Sequence, residues 1–150
     1  MTKVLLLHGI NLNMFGKRDP SKYGTVTLTE IDAQMMALGK ELGVEVVPFQ
    51  TNLEGEICER VHQAVRDRED AIVINAGAWT HYSYALGDAL EIFKGPIAEV
   101  HMSNVHAREE FRHKSVFSRV VMGQISGFGV DSYLLGLRAV VSALRAGEQK

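Results

Sequence analysis

Side chains able to do chemistry gather in three stretches of this 150-residue chain. The first, His8–Gly24, carries Asn11, Asn13, Arg18 and Tyr23 on one polar segment, and the second runs from Asn75 through His81 to Asp88. The third holds Glu99, His101, Met102, Ser103, Arg108 and Arg112. A phenol with its ordinary pKa of about 10 serves as a base near neutrality only where cations hold its phenolate. Arg18, close in sequence to Tyr23, and Arg108, from a different stretch, are the guanidiniums placed to do that. Glu99 and His101 alternate within an apolar run, so in a strand they point the same way. A carboxylate beside an imidazole fixes its tautomer and favours the charged form, which suits a general acid. His81 follows a Gly-Ala-Trp-Thr turn at the start of a helical run, where backbone donors favour an anion. Singly, these residues also read as a turn tyrosine, solvated cations and a capped core histidine. Their convergence carries more weight than any one of them.

The elements that must bring them together alternate. Lys3–His8 reads as a strand, and Thr27-Leu28-Thr29-Glu30 has capping-box form ahead of a helix that Gly43 stops. Val44–Phe49 is a second strand, Glu54–Arg68 a one-face helix, and Ala71–Asn75 a third strand. Ser83 caps a helix running through Phe93; Ile97–His101 and Arg119–Gln124 are the fourth and fifth strands, and Val130–Leu144 is the last amphipathic helix. Strands alternating with helices imply right-handed parallel βαβ units with helices on both faces. At this size the expected fold is α/β, a flavodoxin-like three-layer sandwich. Its five-stranded parallel sheet has order 2-1-3-4-5, and residues 1–150 form one domain. Such sheets bind ligands beyond the carboxyl ends of their strands, at the switch point between the first and third. All three polar stretches fall on that edge. His8–Gly24 itself is expected to be a functional loop of roughly 15 residues without secondary structure of its own.

Composition removes other classes. A formal charge of −2 with signs mixed along the chain offers no basic stripe for nucleic acid. No apolar run approaches a membrane span, and Met1-Thr2-Lys3 leads into a strand rather than a secretory signal. The single cysteine, Cys58, cannot form an internal disulfide, which fits a reducing cytoplasm. His101, His106 and His113 lack any metal-ligand spacing and lie in an Arg-rich segment, so no metal is expected. Gly127-Phe128-Gly129 is half a dinucleotide fingerprint after the wrong strand, and reads as a cap on the last helix. Ser126 sits in no GxSxG elbow. A nucleotide- or flavin-binding module would need phosphate-cradling glycines after the first strand, and that segment carries Lys17-Arg18 instead.

Three motifs, in order, resemble type II 3-dehydroquinate dehydratases. That family opens with GPNLNxLGxREPxxYG, and this chain has GINLNMFGKRDPSKYG over Gly9–Gly24. The family's NPGAxTHxSxALRDAL appears as NAGAWTHYSYALGDAL over Asn75–Leu90, and EVHxSNxHAREEFRHxS is matched over Glu99–Ser115. The likeness runs from about Lys3 to Leu144. It implies reversible dehydration of 3-dehydroquinate to 3-dehydroshikimate by anti elimination through an enolate. Carried over, Tyr23 is the base, Arg18 holds its phenolate with Arg108 assisting, and His101, oriented by Glu99, is the acid. Asn11 positions a water at the enolate oxygen. Asn75, His81, Met102, Ser103 and Arg112 bind the carboxylate and hydroxyls of the substrate. The resemblance implies no metal or organic cofactor, and a homododecamer, a tetramer of trimers, in which Asp88 reaches a neighbouring site. A base on a loop and an acid on a strand also suggest a lid that closes before chemistry. Ile10 stands where the family has proline, and Gly87 where it has arginine. The latter loses a cation and weakens its helix by up to about 1 kcal/mol. If that arginine pairs across a subunit contact, assembly or affinity differs here, and Gly87 alone keeps a catalytically silent assembly subunit as a competing reading.

Overall fold

Three of the strand segments, Lys3–His8, Ala71–Asn75 and Ile97–His101, are buried along nearly their whole length, and the sheet is covered on both faces where they run. The computed structural model describes residues 1–148. Its strands are β1 (Lys3–His8), β2 (Glu45–Gln50), β3 (Ala71–Asn75), β4 (Ile97–His101) and β5 (Gly123–Ser126). They form one all-parallel sheet in the order β2-β1-β3-β4-β5. The helices are α1 (Pro20–Tyr23), α2 (Leu28–Leu42), α3 (Glu54–Arg66), α4 (Tyr84–Ile92) and α5 (Val130–Glu148), with four short 3₁₀ turns between elements. This is the flavodoxin-like arrangement expected from the alternation.

Strand alternation splits the core in two. Val4, Leu6, Val73 and Val100 face α2 and α5, where Ile31, Met35, Tyr133 and Leu137 close over them. Leu5, Leu7, Ile72 and Ile74 face α3 and α4, against Ile57, Val61, Leu86 and Leu90. Because both faces are buried, the strands read as continuous apolar runs rather than alternating ones. Each fully buried aliphatic side chain contributes about 1.5–3 kcal/mol relative to exposure, so the sheet is a rigid platform for whatever its edge carries.

Local signals set the helix ends. The Thr27 hydroxyl accepts from the Glu30 amide at 3.2 Å, and Gly43 closes α2 in the left-handed region at φ 76°. Where β1 and β3 end side by side, Gly9 is needed for close approach. A Cβ there would lie 2.2 Å from the Ala76 carbonyl oxygen.

Two expectations differ from what is found. The fifth strand is Gly123–Ser126, not Arg119–Gln124. The apolar Val120-Val121-Met122 run imitates a strand, but Val120 and Val121 turn back to bond the Phe117 carbonyl, and pairing starts only at Gly123 opposite Ala98. The shift sets Gln124 beside Glu99 and Ser126 beside His101. The first loop also carries structure of its own. Leu12–Met14 forms a 3₁₀ turn, and Asp19 caps α1 by accepting from the Ser21 amide at 3.0 Å.

Candidate active site

The cleft lies beyond the carboxyl ends of β1, β3 and β4. One chamber of about 110 Å³ is lined by Asn11, Arg18, Tyr23, Asn75, His81, His101, Met102, Ser103, Arg108 and Arg112, with Leu12 and Phe15 as apolar wall. A second, of about 210 Å³, adjoins it at His81, His101, Val105 and Arg112. Ten of the residues singled out from sequence thus meet in one place.

On the loop side, α1 folds Tyr23 inward until only 9 % of it is exposed, its ring 5.7 Å from that of Phe15. Arg18 Nη2 donates to the Tyr23 hydroxyl at 2.9 Å, and its Cζ stands 4.0 Å from the ring centroid. Arg108 approaches the same ring at 5.3 Å while donating to Ser103 Oγ at 3.0 Å. Two guanidiniums therefore flank one phenol. Arg108 Nε is buried with no hydrogen-bond acceptor among the described residues; the nearest carboxylate, Glu109, is 3.8 Å away. An unmatched buried cationic donor at the cleft calls for an anionic partner.

On the strand side, Glu99 and His101 are 3 % and 7 % exposed. His101 Nε2 donates to Glu99 Oε2 at 2.7 Å, which leaves Nδ1 as the other ring nitrogen. Ser115 and Gln124 donate to the other carboxylate oxygen. Burial pushes the Glu99 carboxyl upward, but the hydrogen bond and charge of His101, aided by Ser115 and Gln124, outweigh it and hold it below the ordinary glutamate value. Glu99 is thus a fixed anion behind the imidazole. His81 stacks on His101 with centroids 6.2 Å apart and donates Nδ1–H to the Lys114 carbonyl at 2.8 Å. Burial lowers the His81 pKa despite that bond, and nearby His101 and Arg112 add to the effect. A neutral imidazole therefore lies against the one backed by a carboxylate.

Asn11 stands in the left-handed region at φ 70°, which asparagine tolerates, with its amide donating to Asn52 Oδ1 at 2.9 Å. Asn75 ends β3 and accepts from the Gly77 amide at 3.2 Å. Gly77 and Ala78 line the cleft, whereas no residue of α4 does. Ser83 caps α4 by accepting from Leu86 while its hydroxyl donates to Glu54 at 2.6 Å. Asp88 does not line the cleft of its own chain; it lies on exposed α4 surface, 3.3 Å from Arg119. Gly87 is buried, and a Cβ there would make ordinary contact with Val116 and Phe117.

Sequence reasoning missed four supporting residues. Ser115 reaches Glu99 from the loop that follows Arg112, 16 positions along the chain, and Gln124 reaches it through the register of β5. His8 and Tyr133 lie behind Asn75, on β1 and α5. A tyrosine and a histidine 125 positions apart give no local signal. Among the described residues no group of three or more His, Cys, Asp or Glu could hold a metal ion. No helix among them is long and apolar enough to cross a membrane.

Fold and cleft together define a doubly wound α/β protein whose switch-point cleft is equipped for acid–base chemistry on a small anion. The dehydroquinase class II family model matches residues 2–141, and the chain belongs to that family. It is 64 % identical over 145 residues to the 3-dehydroquinate dehydratase of Leptothrix cholodnii, covering 97 % of each chain. It is 60 % identical over 149 residues to that of Pelobacter propionicus, covering 99 % of this chain and all of the relative. The type II dehydroquinase of Propionibacterium acnes superposes with a TM-score of 0.91 at 43 % identity, over 95 % of this chain and 97 % of the other.

Proposed function

We propose that the cleft performs the reversible dehydration of 3-dehydroquinate to 3-dehydroshikimate, by anti elimination through an enolate, with Tyr23 as base and His101 as acid. Family membership supports the substrate and the reaction class. The observation that carries the mechanism is the pairing of two prepared groups in one cleft. Arg18 is 2.9 Å from the Tyr23 hydroxyl, and Glu99 is 2.7 Å from His101 Nε2.

A proton beside a ketone leaves only if the developing enolate is stabilised by preorganised donors in a site that excludes water. Tyr23, held as phenolate by Arg18 and flanked by Arg108, removes it. Asn11 positions a water at the enolate oxygen. Hydroxide is a poor leaving group, so it departs as water after accepting a proton from His101, whose imidazolium Glu99 stabilises. Burial of Glu99 keeps that counter-charge from being screened. Arg112, Asn75, His81 and the Met102–Ser103 step hold the carboxylate and hydroxyls. No metal or organic cofactor takes part. Residues 1–150 form one catalytic domain, and its first loop acts as a lid that delivers Tyr23. Twelve such chains assemble as a tetramer of trimers in the cytoplasm, with Asp88 reaching a neighbouring site. The same step serves aromatic biosynthesis and quinate breakdown.

The test is the ultraviolet absorbance of the conjugated enone formed from 3-dehydroquinate, repeated after chelation and after borohydride treatment with substrate. Full turnover in all three is expected. Inactivation by borohydride would signal a lysine Schiff base and overturn the mechanism. An intact oligomer without turnover would favour the silent assembly subunit.

A further inference from the structure

Behind the cleft, four polar side chains from four different elements form a single file through the core. Asn75 Nδ2 is 2.9 Å from the Tyr133 hydroxyl, which is 3.1 Å from His8 Nδ1, and His8 Nε2 is 2.7 Å from Asp32 Oδ1. Tyr133 and His8 are fully buried and Asn75 nearly so, whereas Asp32, on α2, is 24 % exposed. All three are side-chain contacts, separate from the backbone bonding of these elements, and buried polar groups are costly unless fully satisfied.

Only one arrangement of protons satisfies every member. The Gly77 amide donates to Asn75 Oδ1, so the carboxamide cannot be flipped, and its Nδ2 must donate to Tyr133. Tyr133 therefore spends its own proton on His8 Nδ1, and His8 keeps its proton on Nε2 for the Asp32 carboxylate. Burial holds the Tyr133 phenol far above its ordinary value, so it acts as a neutral hydroxyl. An amide does not pass protons along, so the file conveys orientation rather than charge. Its cleft end is Asn75, whose Nδ2 carries a second hydrogen to offer a ligand.

We propose that Tyr133, backed by His8 and Asp32, is a positioning set that locks the Asn75 carboxamide in the rotamer that presents an N–H to a substrate hydroxyl. The proposal rests on the assignment of Asn75 to substrate binding made above. Without the lock, the carboxamide is held only by the Gly77 amide and turns among orientations, most of which do not bind. The loss falls on ground-state and transition-state binding alike, and so on KM rather than kcat.

The test is steady-state turnover of 3-dehydroquinate in a double-mutant cycle of Tyr133→Phe and Asn75→Ala. Tyr133→Phe is expected to raise KM roughly five- to tenfold, the worth of one hydrogen bond, with kcat within about twofold. In the Asn75→Ala background the same change should add less than about twofold. If the two KM increases multiply, Tyr133 does not act through Asn75 and the proposal is overturned. Should Tyr133→Phe fail to fold by circular dichroism, the partly exposed end decides. Asp32→Ala is expected to raise KM about threefold and Asp32→Asn, which keeps an acceptor for His8 Nε2, to restore it. Equal KM values for both Asp32 variants overturn the proposal. An unchanged KM in Asn75→Ala would instead refute the binding role of Asn75 on which it rests.

Discussion

Replacing Glu99 by glutamine keeps the shape of the side chain and removes its charge. In the folded protein that carboxylate receives His101 on one oxygen and Ser115 and Gln124 on the other, and is 3 % exposed. A glutamine must turn its NH₂ either toward His101 or toward Ser115 and Gln124, so at least one hydrogen bond is lost whichever way it lies. The charge-assisted bond to the imidazolium is worth about 1.5–3 kcal/mol in such a setting. At about 1.4 kcal/mol per decade of rate, kcat for the dehydration should fall roughly 10- to 150-fold. KM should move little, because Glu99 faces His101 rather than the hydroxyls. The assay is initial rate by enone absorbance over a range of substrate concentrations, with circular dichroism to verify the fold. In a His101→Ala background the substitution should cost almost nothing more, since both changes remove the same function. A folded Glu99→Gln protein with kcat within about threefold of the unaltered one would refute the claim that the pair acts as acid and counter-ion.

Tyr23→Phe removes the proposed base but keeps the ring on Phe15, so turnover should fall at least about a thousandfold while thermal stability stays close to unaltered; near-normal turnover sinks the assignment. Gly9→Ala would push a methyl to 2.2 Å from the Ala76 carbonyl and part β1 from β3, costing at least about 1–3 kcal/mol in urea unfolding. An unchanged urea midpoint would show that the close approach is not required. His81 has its pKa lowered from 6.5, chiefly by burial. Between that lowered value and 6.5 the unfolded chain binds more protons, so stability rises with pH and is lost as pH falls through the window. The slope of urea midpoint against pH should therefore be smaller in His81→Gln, and an identical slope would exclude His81 as its source.

The fold was legible because its signals are local. Apolar runs of strand length, Thr27 and Ser83 as caps, and Gly43 as a stop each act within a few residues, and the helical spacing between them is periodic. The fifth strand was displaced because Val120-Val121-Met122 has strand composition, whereas pairing with β4 is a property of two segments and not of one. Tyr23, Glu99 and His101 were legible as candidates because their chemistry and neighbours are unusual for a turn or a strand end. Side-chain alternation alone set the carboxylate beside the imidazole, at what proves to be 2.7 Å.

The sequence by itself thus determined the elements other than the bounds of β5, the switch-point edge and the identities of the candidate acid–base groups, since each depends on residue type and short spacing. Only the tertiary structure decided what stands behind them. It brought Arg108 to the Tyr23 ring, set Gln124 against Glu99 through the register of β5, and lined up Asp32, His8, Tyr133 and Asn75 from four separate elements. Those contacts arise where the ends of packed elements coincide in space, and packing alone brings residues 125 positions apart to within a hydrogen bond.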